Sequence, residues 1–439
     1  MEIQAHGLGG GSDLPIPASL AIGGGTAALT LSFVVLLLAW QKPRFAADSY
    51  WLPVPRRLTG VLDGVALATA LRVIGMVFFA FVVWCALAGP DTLTNPTFGI
   101  VYVWLWVGLV PASLLFGRWY RALSPARTMC LLLARLLGPA WGARDYPKRW
   151  GYWPAGVALF AFVWMELVSR DATYLGQVRL WFAIYFAAML VGTAAYGERW
   201  LERADPFEVY STLVAHLSLW GRRNDGSLVI ASPLRNLSRL APEVGLVAVV
   251  AVLLGSTAYD SWRESAVWIR FVQSSSIHGT LLNTAMLLSW VLIVGIVFTI
   301  ATSCTPVNPG LGLRRRDLPS RLAHSIVPII VGYMIAHYIS FLVESGQLVL
   351  IQISDPMGTG ANLFGTADGS INYWLSQNPS FLASIKVLAI VIGHVLGVIA
   401  AHDRSLELLP RKHQITGQLP LLGVMVLYTF MGLYLLFGT

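Results

Sequence analysis

Four histidines, a glutamate and a lysine sit inside two apolar stretches between Leu322 and Asp403. The first, LAHSIVPIIVGYMIAHYISFLVESGQLVLI, carries His324, His337 and Glu344. The second, FLASIKVLAIVIGHVLGVIAAHD, carries Lys386, His394, His402 and Asp403. Each is long enough to cross a bilayer, where an ionisable group is costly and a function is the default expectation. One outer loop joins them, so they are expected to run antiparallel as a helix pair over 322–403. His337 and His394 then both fall near mid-span. At about 1.5 Å per residue, Glu344 lies roughly 10 Å outward of His337 and Lys386 roughly 12 Å outward of His394. His337 is therefore expected level with His394, and Glu344 level with Lys386.

Imidazole and carboxylate together suit zinc, copper or iron, and an enzyme site leaves one coordination position open for water. On this reading His337 and His394 are metal ligands and Asp260 or Glu344 is the third ligand or the base. Lys386 orients Glu344 or stabilises developing negative charge. The metal would acidify a water and polarise a phosphoryl or carbonyl oxygen. No HExxH occurs, and His394 and His402 stand roughly 12 Å apart along a helix, too far to share one ion. A second reading makes His337 and His394 axial ligands of a haem b in a redox subunit, though CxxCH is absent. A third makes the buried charges a proton or ion path in a coupled permease. A structural network is the fourth. His324, His402 and Asp403, near the cytoplasmic ends, are expected to make interfacial hydrogen bonds.

The elements that position these residues are membrane spans. Of 439 residues 56% are hydrophobic and 12% charged, and the long apolar runs are uninterrupted. Only helices or closed barrels satisfy the backbone in lipid, and such runs exclude a barrel. The fold is thus an all-α polytopic membrane protein, a single integral membrane domain over 1–439. About ten spans are expected, near 17–40, 61–88, 99–117, 152–170, 178–197, 243–262, 279–303, 324–350, 381–402 and 418–438. The segments after the odd-numbered spans hold 4, 7, 6, 4 and 3 of the 30 Lys and Arg residues. The positive-inside rule places those segments in the cytoplasm and both termini outside, in the cytoplasmic (inner) membrane. The net charge of +8 is then a topology signal, and no nucleic-acid partner is implied. Cys85, Cys130 and Cys304 show no pairing or metal spacing. The first apolar run lacks a basic flank, so no cleavable signal peptide is expected. His6 reads as a solvated loop residue.

Spans 3 and 5 end alike, at LLFGRWYRALSPARTMCLLLARLLGPAWGAR and AAYGERWLERADPFEVYSTLVAHLSLWGRR. Each has Gly, Trp, a Ser-Pro or Asp-Pro step, an amphipathic run, then Trp-Gly. Ser or Asp before proline is a helix cap with proline in the first turn. Residues 61–150 and 152–223 therefore read as duplicated helical hairpins, each followed by a cytoplasmic interfacial helix with arginines towards lipid headgroups. Arg72 in span 2 is expected to face the bundle and pair with a carboxylate or carbonyl. Glu166, Asp260 and Glu344 approach the outer face from three separate spans, and that shared depth raises them as site candidates. A bundle with so little soluble mass also suits a component of a larger complex, so a partner membrane subunit is expected.

The stretches AHGLGG–SDLPIP, FVWMELV, W-x-x-R-x-D-P-F-x-V-Y, LLGSTAYDS and GHVLGVIAAHDRSLEL resemble actinobacterial membrane proteins of the fenitrothion hydrolase-like family. The resemblance covers most of the chain at scattered short motifs. It implies a membrane-bound hydrolase of a small lipophilic organophosphorus triester, releasing a nitrophenol, and it carries over no site residues. This chain has Tyr259 where phenylalanine is expected before Asp260, and Gly11 where arginine commonly follows Gly10.

Overall fold

A computed structural model describes residues 14–45, 52–138, 141–223 and 225–438. His6, Gly10 and Gly11 lie outside the described residues. The chain is helical over most of its described length, as an all-α polytopic membrane protein. All ten expected spans are helices, though not equally long. Seven are long and apolar enough to cross a bilayer, and an eighth is a pair, Pro96–Val107 and Leu109–Phe116, bent by 45°. The remaining two are Trp153–Leu167 and Leu246–Arg263. A short antiparallel sheet, unexpected from the sequence, joins β1 (Leu52–Pro53), β2 (Trp220–Arg222) and β3 (Leu228–Ile230) in the order β1-β3-β2.

The contacts divide into two compact units. The first comprises residues 1–47, 237–341 and 373–439. Its central helix, Leu246–Arg263, is buried at every residue from Val249 to Ser261. A helix apolar all round belongs inside a bundle. Gly255 permits that packing, since a Cβ there would lie 2.7 Å from Val291 Cα of the helix Gly279–Ser303. Val327–Ser340 packs on Pro379–Leu408 through small residues in the same way. A Cβ on Gly393 would lie 2.6 Å from Pro328 O, and one on Gly397 2.7 Å from Ser325 O. Close backbone approach through glycine is the usual device where lipid supplies no hydrophobic force between helices.

The second unit comprises residues 48–236 and 342–372. Its two halves repeat one order of elements. The first runs Val65–Ala88, the bent pair, Trp119–Leu123 and Pro125–Leu137; the second runs Trp153–Leu167, Leu175–Tyr196, Glu198–Ala204 and Pro206–Ala215. Gly117 (φ 68°) and Gly197 (φ 64°) end the helices Leu109–Phe116 and Leu175–Tyr196, in a conformation that only glycine adopts cheaply. Ser124 then accepts from Arg127 N–H, and Asp205 from Phe207 and Glu208 N–H, as the Ser-Pro and Asp-Pro steps predict. Each capped helix packs against the second span of the other half: Pro125–Leu137 on Leu175–Tyr196, and Pro206–Ala215 on Leu109–Phe116. The expectation that these helices lie at the interface with their arginines towards headgroups does not fit two features. Arg127 is buried, and Pro206–Ala215 is buried along nearly its whole length.

Candidate functional site

Asp260 sits near the C-terminal end of the helix Leu246–Arg263 of the first unit and is itself fully buried. Its carboxylate is therefore held by donors from two helices. His337 Nε2 lies 2.9 Å from Oδ2, and the Tyr338 hydroxyl donates to the same oxygen at 2.7 Å. Arg263, one helical turn on, forms an ion pair with Oδ1 at 2.8 Å. The far side of the imidazole continues the chain. His337 Nδ1 is 3.2 Å from Ser261 Oγ, which is 3.0 Å from the Tyr333 hydroxyl.

These partners fix the ring's chemistry. The acceptor carboxylate requires N–H at Nε2, and the neutral ring then accepts the Ser261 proton at Nδ1. A doubly protonated ring is equally served, with Ser261 rotated to accept from Nδ1 and donate to Thr257 O, 3.4 Å away. The imidazole can thus gain or lose a proton with every partner still satisfied. Asp260, Ser261, Tyr333, His337 and Tyr338 are all buried, while the Arg263 side chain is 28% exposed at the edge.

Of the residues singled out in the sequence, Asp260 and His337 are brought into contact. His337 and His394 are not level. The helix pair touches where Gly332 meets Ala389 and Gly393, and where Ser325 meets Gly397. Continued antiparallel, that register sets His337 level with Lys386, and His394 level with Ile329. The two histidines are displaced roughly 12 Å along the axis. The glycines set this register, and counting from the loop ignores them. Lys386 is buried at 1% exposure. Glu344 lies in a π-helical turn, Phe341–Ser345, and belongs with Glu166 to the second unit.

His394 Nδ1 donates to Ile390 O at 2.8 Å, while its buried Nε2 has no hydrogen-bond partner among the described residues. Both His337 nitrogens are engaged, and among the described residues no group of three or more His, Cys, Asp or Glu side chains could hold a metal ion. Backbone contact at Gly332 and Gly393 leaves no width there for a porphyrin between the two helices. The other histidines brace the backbone. His402 bridges Gln418 Oε1 and Trp40 O, each at 2.9 Å. Asp403 accepts from Trp40 Nε1 and from the N–H groups of Arg44 and Phe45. His324 Nδ1 bonds Arg321 O.

Sequence reasoning missed Ser261, Tyr333, Tyr338 and Arg263. Arg263 and Tyr333 stand three and four residues from Asp260 and His337, on the same helix faces, while Ser261 and Tyr338 are their immediate chain neighbours. No protein family, curated protein or solved structure matches this chain.

Proposed function

We propose that Asp260 and His337 form a proton-transfer centre in the membrane and that the chain is a proton-coupled permease. One observation carries the reading: Asp260, His337, Ser261 and Tyr333 form a buried, hydrogen-bonded string, with Arg263 at its partly exposed edge, that can hold its imidazole in either protonation state. Intramembrane carboxylate–histidine chains are the usual hardware of proton coupling. The charge pattern supports a cytoplasmic-membrane location with both termini outside, and Asp260 towards the outer face.

A second reading has its own observation. Ser261, His337 and Asp260 stand in the order nucleophile, base and acid, with Nδ1 towards the serine and Nε2 towards the carboxylate. A lipophilic organophosphorus ester, the substrate class implied by the family resemblance, would react by attack of Ser261 Oγ on phosphorus. The hydroxyl proton would pass to Nδ1 and the aryloxide would leave.

Both readings are separated in proteoliposomes loaded with a pH-sensitive dye under a valinomycin-imposed potassium potential. Proton entry above protein-free vesicles is expected for wild type and lost in Asp260→Asn and His337→Gln. Nitrophenol release and covalent labelling of Ser261 by a fluorophosphonate, with no proton entry, would replace the first reading by the second. Neither activity in a folded wild type would sink both.

A further inference from the structure

The small sheet of the second unit has two unlike faces. Leu52, Ile230 and Trp220 stand directly opposite one another across β1, β3 and β2, so their side chains share one face. That face is turned outward, with exposures of 68, 40 and 36%. The next register row carries Val229 and Gly221 to the other face. There Val229 is fully buried, and a Cβ on Gly221 would lie 2.5 Å from Asn236 Oδ1. A sheet packed on one face and wetted on the other carries polar side chains outside. Leucine, isoleucine and tryptophan are the opposite of that pattern.

The apolar stripe is continuous with the exposed sides of two spans. Trp220 Nε1 donates to Leu115 O at 2.8 Å, at the end of the helix Leu109–Phe116, where Leu115 and Phe116 are both exposed. β1 leads through Val54 and Pro55 into the short helix Arg56–Leu62, which has no buried residue and exposes Leu58, Val61 and Leu62. The span Val65–Ala88 begins directly after it. Arg222 of β2 bonds Asp63 at 2.9 Å and so ties the end of the short helix to the sheet. Arg56 and Arg57 open that helix. Both are exposed, and neither forms an ion pair among the described residues.

We propose that this corner is a membrane-seated platform that binds anionic lipid. The Leu52–Ile230–Trp220 stripe lies at the headgroup–acyl boundary, and Arg56 and Arg57 meet lipid phosphates. Continuity with two spans sets the depth, and tryptophan is the side chain that favours that boundary. The two cations without acidic partners set the charge of the lipid, since basic residues beside an apolar surface bind anionic leaflets. The cytoplasmic leaflet follows from the inside placement of the basic segments. The arginines that meet headgroups are then those of this short helix, in place of the buried Arg127.

Two measurements on the full-length protein test the platform. Cys85 and Cys130 are buried and Cys304 is exposed, so a nitroxide is placed at Ile230→Cys with Cys304→Ser. In phosphatidylcholine–phosphatidylglycerol liposomes, its collisions with oxygen are expected to exceed those with a water-soluble nickel complex. The reverse order would place the stripe in water and overturn the proposal. In mixed micelles, phosphatidylglycerol is expected to raise the unfolding midpoint more than phosphatidylcholine does, because a ligand of the folded state stabilises it. That excess should fall by at least half in Arg56→Gln/Arg57→Gln, whose two positions are exposed and carry no packing. No excess, or an excess undiminished in the double variant, would overturn the anionic-lipid contact.

Discussion

Arg127 and Glu208 offer the sharpest quantitative test, because the protein carries its own control. Both stand two residues after a capping proline, one in each half of the second unit. Arg127 Nη2 and Nε meet the Glu208 oxygens at 2.6 and 3.0 Å, with side-chain exposures of 4% and 3%. Arg121 and Glu202 stand four residues before the same prolines and pair at 3.0 Å, but are 39% and 23% exposed. Equivalent positions meet across the unit in both cases, and both arginines also reach Glu198, at 2.7 Å from Arg127 and 3.3 Å from Arg121, so the pairs differ in burial and in the second Arg127–Glu208 hydrogen bond. Two unit charges about 3 Å apart attract by roughly 5 kcal/mol at an effective dielectric constant of about 20. Removing one partner strands the other, so Arg127→Met is predicted to cost about 3–5 kcal/mol. The Arg127→Met/Glu208→Leu double variant removes both desolvation costs and is predicted to recover most of that loss. Arg121→Gln is predicted to cost no more than about 1 kcal/mol. Reversible unfolding in mixed detergent–SDS micelles measures all four species of the cycle. Additive losses in the double variant, or equal costs at Arg121 and Arg127, would refute the claim that burial governs the pair.

Two further outcomes are expected. Burial, with Arg118 beside it, pushes the His216 imidazole down to about 4, below its ordinary value of 6.5. The unfolded chain therefore takes up a proton that the folded chain refuses, and stability is lost as pH falls from about 6.5 towards 4, by roughly 3 kcal/mol. His216→Asn should flatten that slope in pH-dependent unfolding, and an unchanged slope would exclude His216 as its source. Gly393→Val should lower the unfolding midpoint sharply, since its Cβ would meet Pro328 O, whereas Gly23→Ala, with open space around its Cβ, should leave it unmoved. Equal shifts for the two would count against the register assigned to the helix pair.

The spans and the caps were legible in the sequence because each is a local rule. A backbone in lipid must be helical, and Ser-Pro or Asp-Pro after a span-ending glycine must start a new helix. Register was not local. Matching His337 to His394 assumed that both helices count equally from the loop, whereas Gly332, Gly393 and Gly397 lock the pair elsewhere. The spacing of those glycines was visible, but which glycine faces which is a property of two helices at once. Arg127 misled for a related reason. The arginines of an amphipathic run look alike until a second, equivalent run supplies Glu208 as the partner of one of them. Ser261, Tyr333 and Tyr338 escaped because hydroxyls are common in membrane helices, where a backbone carbonyl one turn back satisfies them.

Asp260 shared its expected depth with Glu166 and Glu344. A carboxylate forced into a buried helix needs its charge balanced, and Arg263 supplies a cation one turn away. The Tyr338 hydroxyl fills the second oxygen. A structural site would be complete at that point. His337 adds a third donor that stability does not require, and burying an imidazole beside an ion pair already in balance costs desolvation rather than relieving it. Through its other nitrogen the ring is then linked to the Ser261 hydroxyl and, through it, to the Tyr333 hydroxyl. Groups that brace a charge converge on it. Groups that pass a proton form a line leading off from it, and the residues beyond His337 form a line.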